Sequence, residues 1–228
     1  MSDIKLRPGI KAGSYPQKKE SSLTDLEQTL AHFYERIKIR LQRKKYSQAY
    51  ISKQVKKFEQ KFLDYSEQEL TENIQQFRSQ LHRKGLTKKL NIEAFAVIRE
   101  AAGRTMEKRH FDVQLYGGWL MINGMLAEMD TGEGKTLTTT LPACTAALAG
   151  IPVHVITAND YLASRDAEEM MPLYERLALT GGSIIDGMVT TSRQQTYLYD
   201  IVHTTNQQIA FDYLRDRIEI GDDTGDLR

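Results

Sequence analysis

The hydrophobic pattern of the chain changes its period near residue 110. Before that point apolar residues recur every three or four positions, the spacing of a helix face. Leu26, Leu30, Phe33, Ile37 and Leu41 form one such stripe. With Thr24 or Ser22 as a cap and Asp25 and Glu27 in the first turn, it predicts a helix from about residue 25. Two further helices are expected over 47–63 and 66–82. The second opens on Ser66-Glu67-Gln68-Glu69, where hydroxyl and carboxylate can each satisfy the other residue's amide, and Gly85 follows as its stop. Asn91 is expected to cap a fourth helix over 92–106, with Ile92, Phe95, Ala96, Ile98 and Arg99 at helical spacing. Residues 1–22 hold Pro8-Gly9, Gly13 and Pro16 among scattered charges and read as a tail.

From residue 111 short apolar runs alternate with helical patterns. Strands are expected over 122–128, 153–158 and 201–204, with a weaker one over 183–186. Helices are expected over 135–149, 160–178 and 207–217. Alternation of this kind specifies a parallel sheet with helices on its faces, an α/β fold. The chain therefore divides into a tail (1–22), a basic helical region (23–110) and an α/β part (111–228).

One stretch in the α/β part carries chemistry. The run from Met121 to Ala127 is apolar, Thr131-Gly132-Glu133-Gly134 is a tight turn, and a helical pattern opens on Lys135-Thr136. An expected strand, a glycine turn and a helix beginning Lys-Thr form the setting of a phosphate cradle. Gly132 and Gly134 allow the backbone amides to close on an anion, and the helix start adds unpaired donors. Lys135 would reach the β- and γ-phosphates of a nucleotide and the Thr136 hydroxyl would sit on Mg²⁺. The strict motif has glycine where this chain has Met129, a substitution that helicase-type motors accept.

Composition narrows the class. At 228 residues and 40% hydrophobic, the chain can bury a core. No apolar run is long enough to span a bilayer, and the N-terminus has no secretory apolar core. A single cysteine, Cys144, can make no internal disulfide and fits a reducing compartment, the cytoplasm. The five histidines (His32, His82, His110, His154, His203) are scattered without metal-ligand spacing, and each reads as a core or surface residue. The net charge of +1 conceals a strong asymmetry. Residues 1–110 carry 24 Lys+Arg against 13 Asp+Glu, and residues 111–228 carry 7 against 17. A basic arm of this kind meets an anionic partner or docks on the acidic half of its own chain; both stay open. The helix over 25–45 is likewise either a membrane-surface element on anionic lipid or a packed helix with a solvated face.

Several blocks go beyond a generic cradle. Glu93-Ala94-Phe95-Ala96-Val97-Ile98-Arg99-Glu100-Ala101 and Arg109-His110-Phe111-Asp112-Val113-Gln114-Leu115 precede the loop. A block from Val153 to Glu168, containing Thr157-Ala158-Asn159-Asp160-Tyr161, and Phe211-Asp212-Tyr213-Leu214-Arg215-Asp216 follow it. In order and spacing they resemble SecA, the ATPase motor of bacterial preprotein translocation, from about Val55 to Arg217. The resemblance implies a RecA-like nucleotide-binding domain behind a helical region. Gln114 would read the adenine edge, Gly132, Glu133, Gly134, Lys135 and Thr136 would hold the phosphates, and Phe111 would wall the base. It implies ATP and Mg²⁺ as cofactors, a polypeptide substrate and a membrane channel as partners, and residence in the cytoplasm at the inner membrane. Asn159, Asp160, Arg165 and Asp166 fall on a block that couples nucleotide state to moving parts, with Asp160 equally readable as a helix cap.

The chain also departs from the family. Asp130 stands where a basic residue is usual. Two unit charges ~4–6 Å apart at an effective dielectric near 20 repel by about 3–4 kcal/mol before screening, so weaker ATP affinity is expected. Thr204-Thr205-Asn206-Gln207-Gln208-Ile209-Ala210 loses two glycines and an acid relative to the family's turn. No Asp-Glu dipeptide occurs anywhere in the sequence, and in the family that pair holds Mg²⁺ and positions the attacking water. Asp186, after only Ile184-Ile185, is a weak substitute. No catalytic residue is identified, and the chain alone is expected to bind ATP with little or no hydrolysis. Two other classes remain: a nucleic-acid motor, which the lack of aromatic residues interleaved with the basic run disfavours, and a nucleotide-binding or interaction module without turnover.

Overall fold

The computed structural model describes Phe33 and residues 47–220, the side chains of 217–220 aside. The tail, the helix expected over 25–45 and the lipid-contact expectation attached to it lie outside the described residues, except that Phe33 is helical and exposed.

From residue 47 the chain runs through three helices. Ser47 caps α1 (Gln48–Glu59) by accepting the Tyr50 amide, and α1 turns Ile51 and Val55 inward. α2 (Glu67–Lys84) has the expected reciprocal cap. Ser66 accepts the Glu69 amide and the Glu69 carboxylate accepts the Ser66 amide at 2.7 Å. Leu70, Ile74, Phe77 and Leu81 form its buried stripe, and Gly85 ends it at φ +70°. α3 (Lys88–Met106) begins earlier than expected. Thr87, not Asn91, is its cap, and Asn91 lies buried inside the first turns. This helix is the centre of the molecule. Ala94 to Ile98 are fully buried, so its sequence shows little amphipathic contrast.

The apolar run expected as a strand over 122–128 is a correction. A fourth helix, α4 (Asp112–Ile122), occupies the segment before it, and the helix stops on Gly124 at φ +73°. The Gly124 amide donates to Met121 O and the Met125 amide to Leu120 O, the paired bonds of a Schellman ending. A helix stop therefore splits the apolar run. Among the described residues no strand pairs with 125–130, and Leu126 is 94% exposed.

α5 (Lys135–Leu148) packs on α4 and α3. Then come β1 (Val153–Thr157), α6 (Asp160–Arg176), β2 (Gly181–Ser183), α7 (Thr190–Tyr197), β3 (Ile201–Thr205) and α8 (Asn206–Ile220). The second strand is displaced from its expected place, and α7 was not anticipated. The sheet is parallel with order β1-β3-β2, and Val153 and Gly181 both register with Ile201. β3, in the middle, is buried at all five positions. The result is the expected α/β architecture, with a parallel sheet of the RecA-like kind preceded by helices. α3 packs against both α5 and α6, so helical region and sheet share one core.

Candidate functional site

The loop between α4 and α5 is held by its own backbone. Gly132 has φ +90° and Gly134 φ +76°, conformations that a side chain disfavours. Gly134 is the N-cap of α5 and supplies no side chain, so the first amides of α5 open toward the loop. The Lys135 ammonium donates to Asp130 O at 2.7 Å, and the Glu133 carboxylate accepts the Asp130 amide at 3.0 Å. Lys135 and Asp130 are exposed, and Thr136 is half-buried in the first turn of α5. Thr138 ties its hydroxyl to Gly134 O at 3.0 Å.

Gln114 joins this loop to α4. It lies one turn into the helix, where its Oε1 accepts the Phe111 amide at 2.9 Å and completes half of a capping box. Its Nε2 donates to Glu133 O at 2.8 Å. Gln114 is buried, yet an amide of two donors and two lone pairs keeps capacity beyond these two bonds. The fit at Gly134 is close: a Cβ there would stand 2.5 Å from Gln114 Nε2. Phe111, by contrast, is 72% exposed beside the same helix start.

Beneath the loop lies a residue whose role the sequence did not disclose. His110 is fully buried, with Nε2 3.0 Å from Leu137 O and 3.1 Å from Thr140 Oγ1. Its backbone carbonyl accepts Arg99 Nε at 2.8 Å. Burial is the main cause that pushes its pKa down to about 4; the Leu137 bond opposes this and the Arg99 charge adds to it. Around it Glu59 accepts from Arg99 and Arg109, and Glu100 accepts from Arg104 and forms an ion pair with Arg109. Only its position beside the Phe111–Gln114 block pointed to it.

The other sequence candidates gather at the end of β1 and around α7. Asn159, not Asp160, caps α6 by accepting the Leu162 amide at 2.9 Å. Asp160 sits in the first turn and accepts the Asp186 amide at 2.7 Å, pinning the turn after β2. Arg165 pairs with Asp166 at 2.6 Å. The stretch 204–210 spans the end of β3 and the start of α8, where Thr205 Oγ1 accepts the Gln208 amide. Asp212 is buried among Arg193 (2.8 Å), Tyr197 (2.8 Å) and Arg215 (3.1 Å), and Arg193 also donates to Ile185 O and Met188 O.

The donor set at the loop fits a polyphosphate: helix-start amides, one ammonium and a hydroxyl, around two glycines of positive φ. Among the described residues no group of three His, Cys, Asp or Glu side chains is placed to hold a metal ion. A magnesium ion carried in by phosphate oxygens needs few protein ligands, and Thr136 offers one.

The family described as SecA DEAD-like domain matches residues 33–226. Relatives include protein translocase subunit SecA 2 of Bordetella avium, 55% identical over 63% of this chain and 22% of its own length. Protein translocase subunit SecA 3 of Magnetococcus marinus is 51% identical over 67% of this chain and 23% of its own. Protein translocase subunit SecA of Chromohalobacter salexigens is 52% identical over 65% of this chain and 16% of its own. The chain thus spans about a fifth of the length of these relatives.

Proposed function

Because this chain belongs to the SecA family, we propose that it is the ATP-binding front of a motor that drives polypeptides through a membrane channel. The observation that supports this most is the joint between Gln114 and the loop, which sets a base-reading amide beside Gly134 and Lys135. In this reading Gln114 uses its remaining donor and acceptor on the adenine edge, a pairing that guanine does not offer. Gly132, Glu133, Gly134, Lys135 and Thr136 would hold the phosphates, Lys135 through the ammonium that now meets Asp130 O, and the Thr136 hydroxyl would serve as a ligand to Mg²⁺. Bound ATP supplies the phosphoryl group; the chain's own residues bind it, orient it and neutralise its charge.

Residues 111–228 serve as the front of the nucleotide domain and 23–110 as a basic region, with the basic stretch 25–45 suited to anionic lipid. The place of work is the cytoplasmic face of the inner membrane, and no described helix is long and apolar enough to cross a bilayer. With no Asp-Glu pair in the sequence, residues 1–228 bind ATP and turn it over very slowly. The test is titration with a fluorescent ATP analogue. Lys135→Ala abolishes binding if the reading holds; unchanged affinity sinks it. Hydrolysis by 1–228 at ordinary ATPase rates would show that Asp186 or another acid has been misread.

A further inference from the structure

His110 and Gln114 lie on one short segment, and their partners lie on another. Gln114 Nε2 meets the carbonyl of Glu133, and His110 Nε2 meets the carbonyl of Leu137. His110 and Gln114 are four positions apart, as are Glu133 and Leu137, and the pairing runs in opposite directions. The segment 110–114 therefore grips 133–137 at both ends, with Gly134, Lys135 and Thr136 between the two grips.

The chemistry of the second grip is specific. Leu137 O can only accept, so His110 Nε2 must carry the proton and donate. Thr140 Oγ1 already donates to the same carbonyl at 2.6 Å, so it meets the imidazole as an acceptor. His110 Nδ1 is buried with no hydrogen-bond partner, which leaves the neutral Nε2–H tautomer as the one the site accommodates. Arg99, holding the His110 carbonyl and paired with Glu59, keeps the ring's backbone from shifting.

We propose that His110 is a positioning residue of this site: by donating to Leu137 and Thr140 it fixes the first turn of α5, and so Lys135 and Thr136, against the helix start that carries Gln114. The spacing between base-reading and phosphate-holding groups is then set by this double grip and not by the loop alone. The inference rests on the nucleotide reading above and deepens it.

The experiment compares His110→Leu and His110→Gln in the 228-residue chain, with Lys135→Ala as control and a fluorescent ATP analogue with Mg²⁺ as probe. Gln can return an N–H near the place of Nε2; Leu fills volume without a donor. His110→Leu is expected to weaken binding about ten-fold, the worth of one buried hydrogen bond, and His110→Gln to recover most of it. Equal affinities for the two variants would overturn the inference, whether both match the wild type or both fall, because a packing role does not distinguish donor from no donor. If the wild type itself fails to bind, the nucleotide reading falls and takes the inference with it. Should His110→Leu not fold, nitrogen-proton NMR of wild-type imidazoles decides. A neutral Nε2–H tautomer for His110, with ring signals that shift saturably on adding Mg-ADP, supports the proposal. The other tautomer, or no shift at saturating nucleotide, overturns it.

Discussion

At the scale of single residues the two loop glycines are not equivalent. A methyl group on Gly132 meets no atom within 4 Å, so Gly132→Ala suffers only from its backbone angle. A methyl group on Gly134 meets that penalty and also stands 2.5 Å from Gln114 Nε2. Strain of one unfavourable φ costs about 1–3 kcal/mol, and the clash adds to it by pushing Gln114 off Glu133 O. Gly134→Ala is therefore expected to lower affinity for the ATP analogue at least ten-fold more than Gly132→Ala. Parallel titrations of the two variants check this; equal losses would mean that Gln114 moves aside at no cost. The turn at these glycines and the helix start at Lys135 were legible from spacing alone, because a phosphate cradle would need those residue types in that order. His110 was not, because its partner Leu137 acts through a carbonyl, which no sequence pattern marks.

At the scale of elements, helices were legible wherever a cap or an apolar stripe marked them, and strands were less so. The run at 122–128 has the composition of a strand, but composition cannot say whether a partner strand lies beside it, and Gly124 supplied a helix stop instead. The same ending recurs after α5, where the Gly150 amide donates to Ala147 O and the Ile151 amide to Ala146 O. After α6 it recurs once more, with Ala178 and Leu179 donating to Glu175 O and Tyr174 O. There the left-handed position, φ +54°, is held by Ala178 and not by glycine. Leu179 and Tyr174, the positions that commonly make the apolar contact of such an ending, are both buried. Ala178 is exposed, so glycine there disturbs no packing, and its backbone carbonyl still accepts Arg78 Nη1. Relief of the left-handed strain is worth about 1–2 kcal/mol, offset in part by the added freedom of the unfolded chain. Ala178→Gly is expected to raise stability by about 0.5–1 kcal/mol, read from the midpoint of urea unfolding at unchanged slope.

At the scale of the whole molecule, charged groups inside the fold tie the elements together, and two kinds of experiment separate their contributions. The buried Arg193–Asp212 pair joins α7 to α8 and, through Ile185 O and Met188 O, to the turn after β2. Arg193→Met leaves Asp212 with Tyr197 and the exposed Arg215, and strips two carbonyls of a donor. Breaking a buried pair on one side costs about 3–5 kcal/mol, and Arg215 recovers part of that, so about 3 kcal/mol is expected in denaturant unfolding. A loss under about 1 kcal/mol would show that this corner contributes little to global stability.

Acid acts on other groups, in a window set by the histidines. His110 has its folded pKa at about 4, below the ordinary 6.5, because burial penalises the charged ring. A depressed histidine favours folding only while neutral. Its contribution is whole above pH 6.5 and declines as pH falls toward 4, because the unfolded chain takes up the proton first. At pH 5 the loss from His110 alone is about 2 kcal/mol relative to pH 8. His203, buried against the Tyr174 hydroxyl at 2.9 Å, is shifted down by the same cause, with the Asp166 charge opposing, and adds to the decline. Glu67, lowered chiefly by its hydrogen bond from Arg104, and Glu69, lowered by the Ser66 amide, work in a different range. Their contributions are present above the ordinary carboxylate pKa of 4.5 and are lost only below it as pH falls toward their folded values. Unfolding free energy measured from pH 8 to 5 should therefore fall mainly between pH 6.5 and 5, and His110→Gln should flatten that part of the curve. A wild-type curve already flat between pH 6.5 and 5 would mean that water reaches the imidazole beneath the loop, and that the grip on Leu137 is looser than the distances imply.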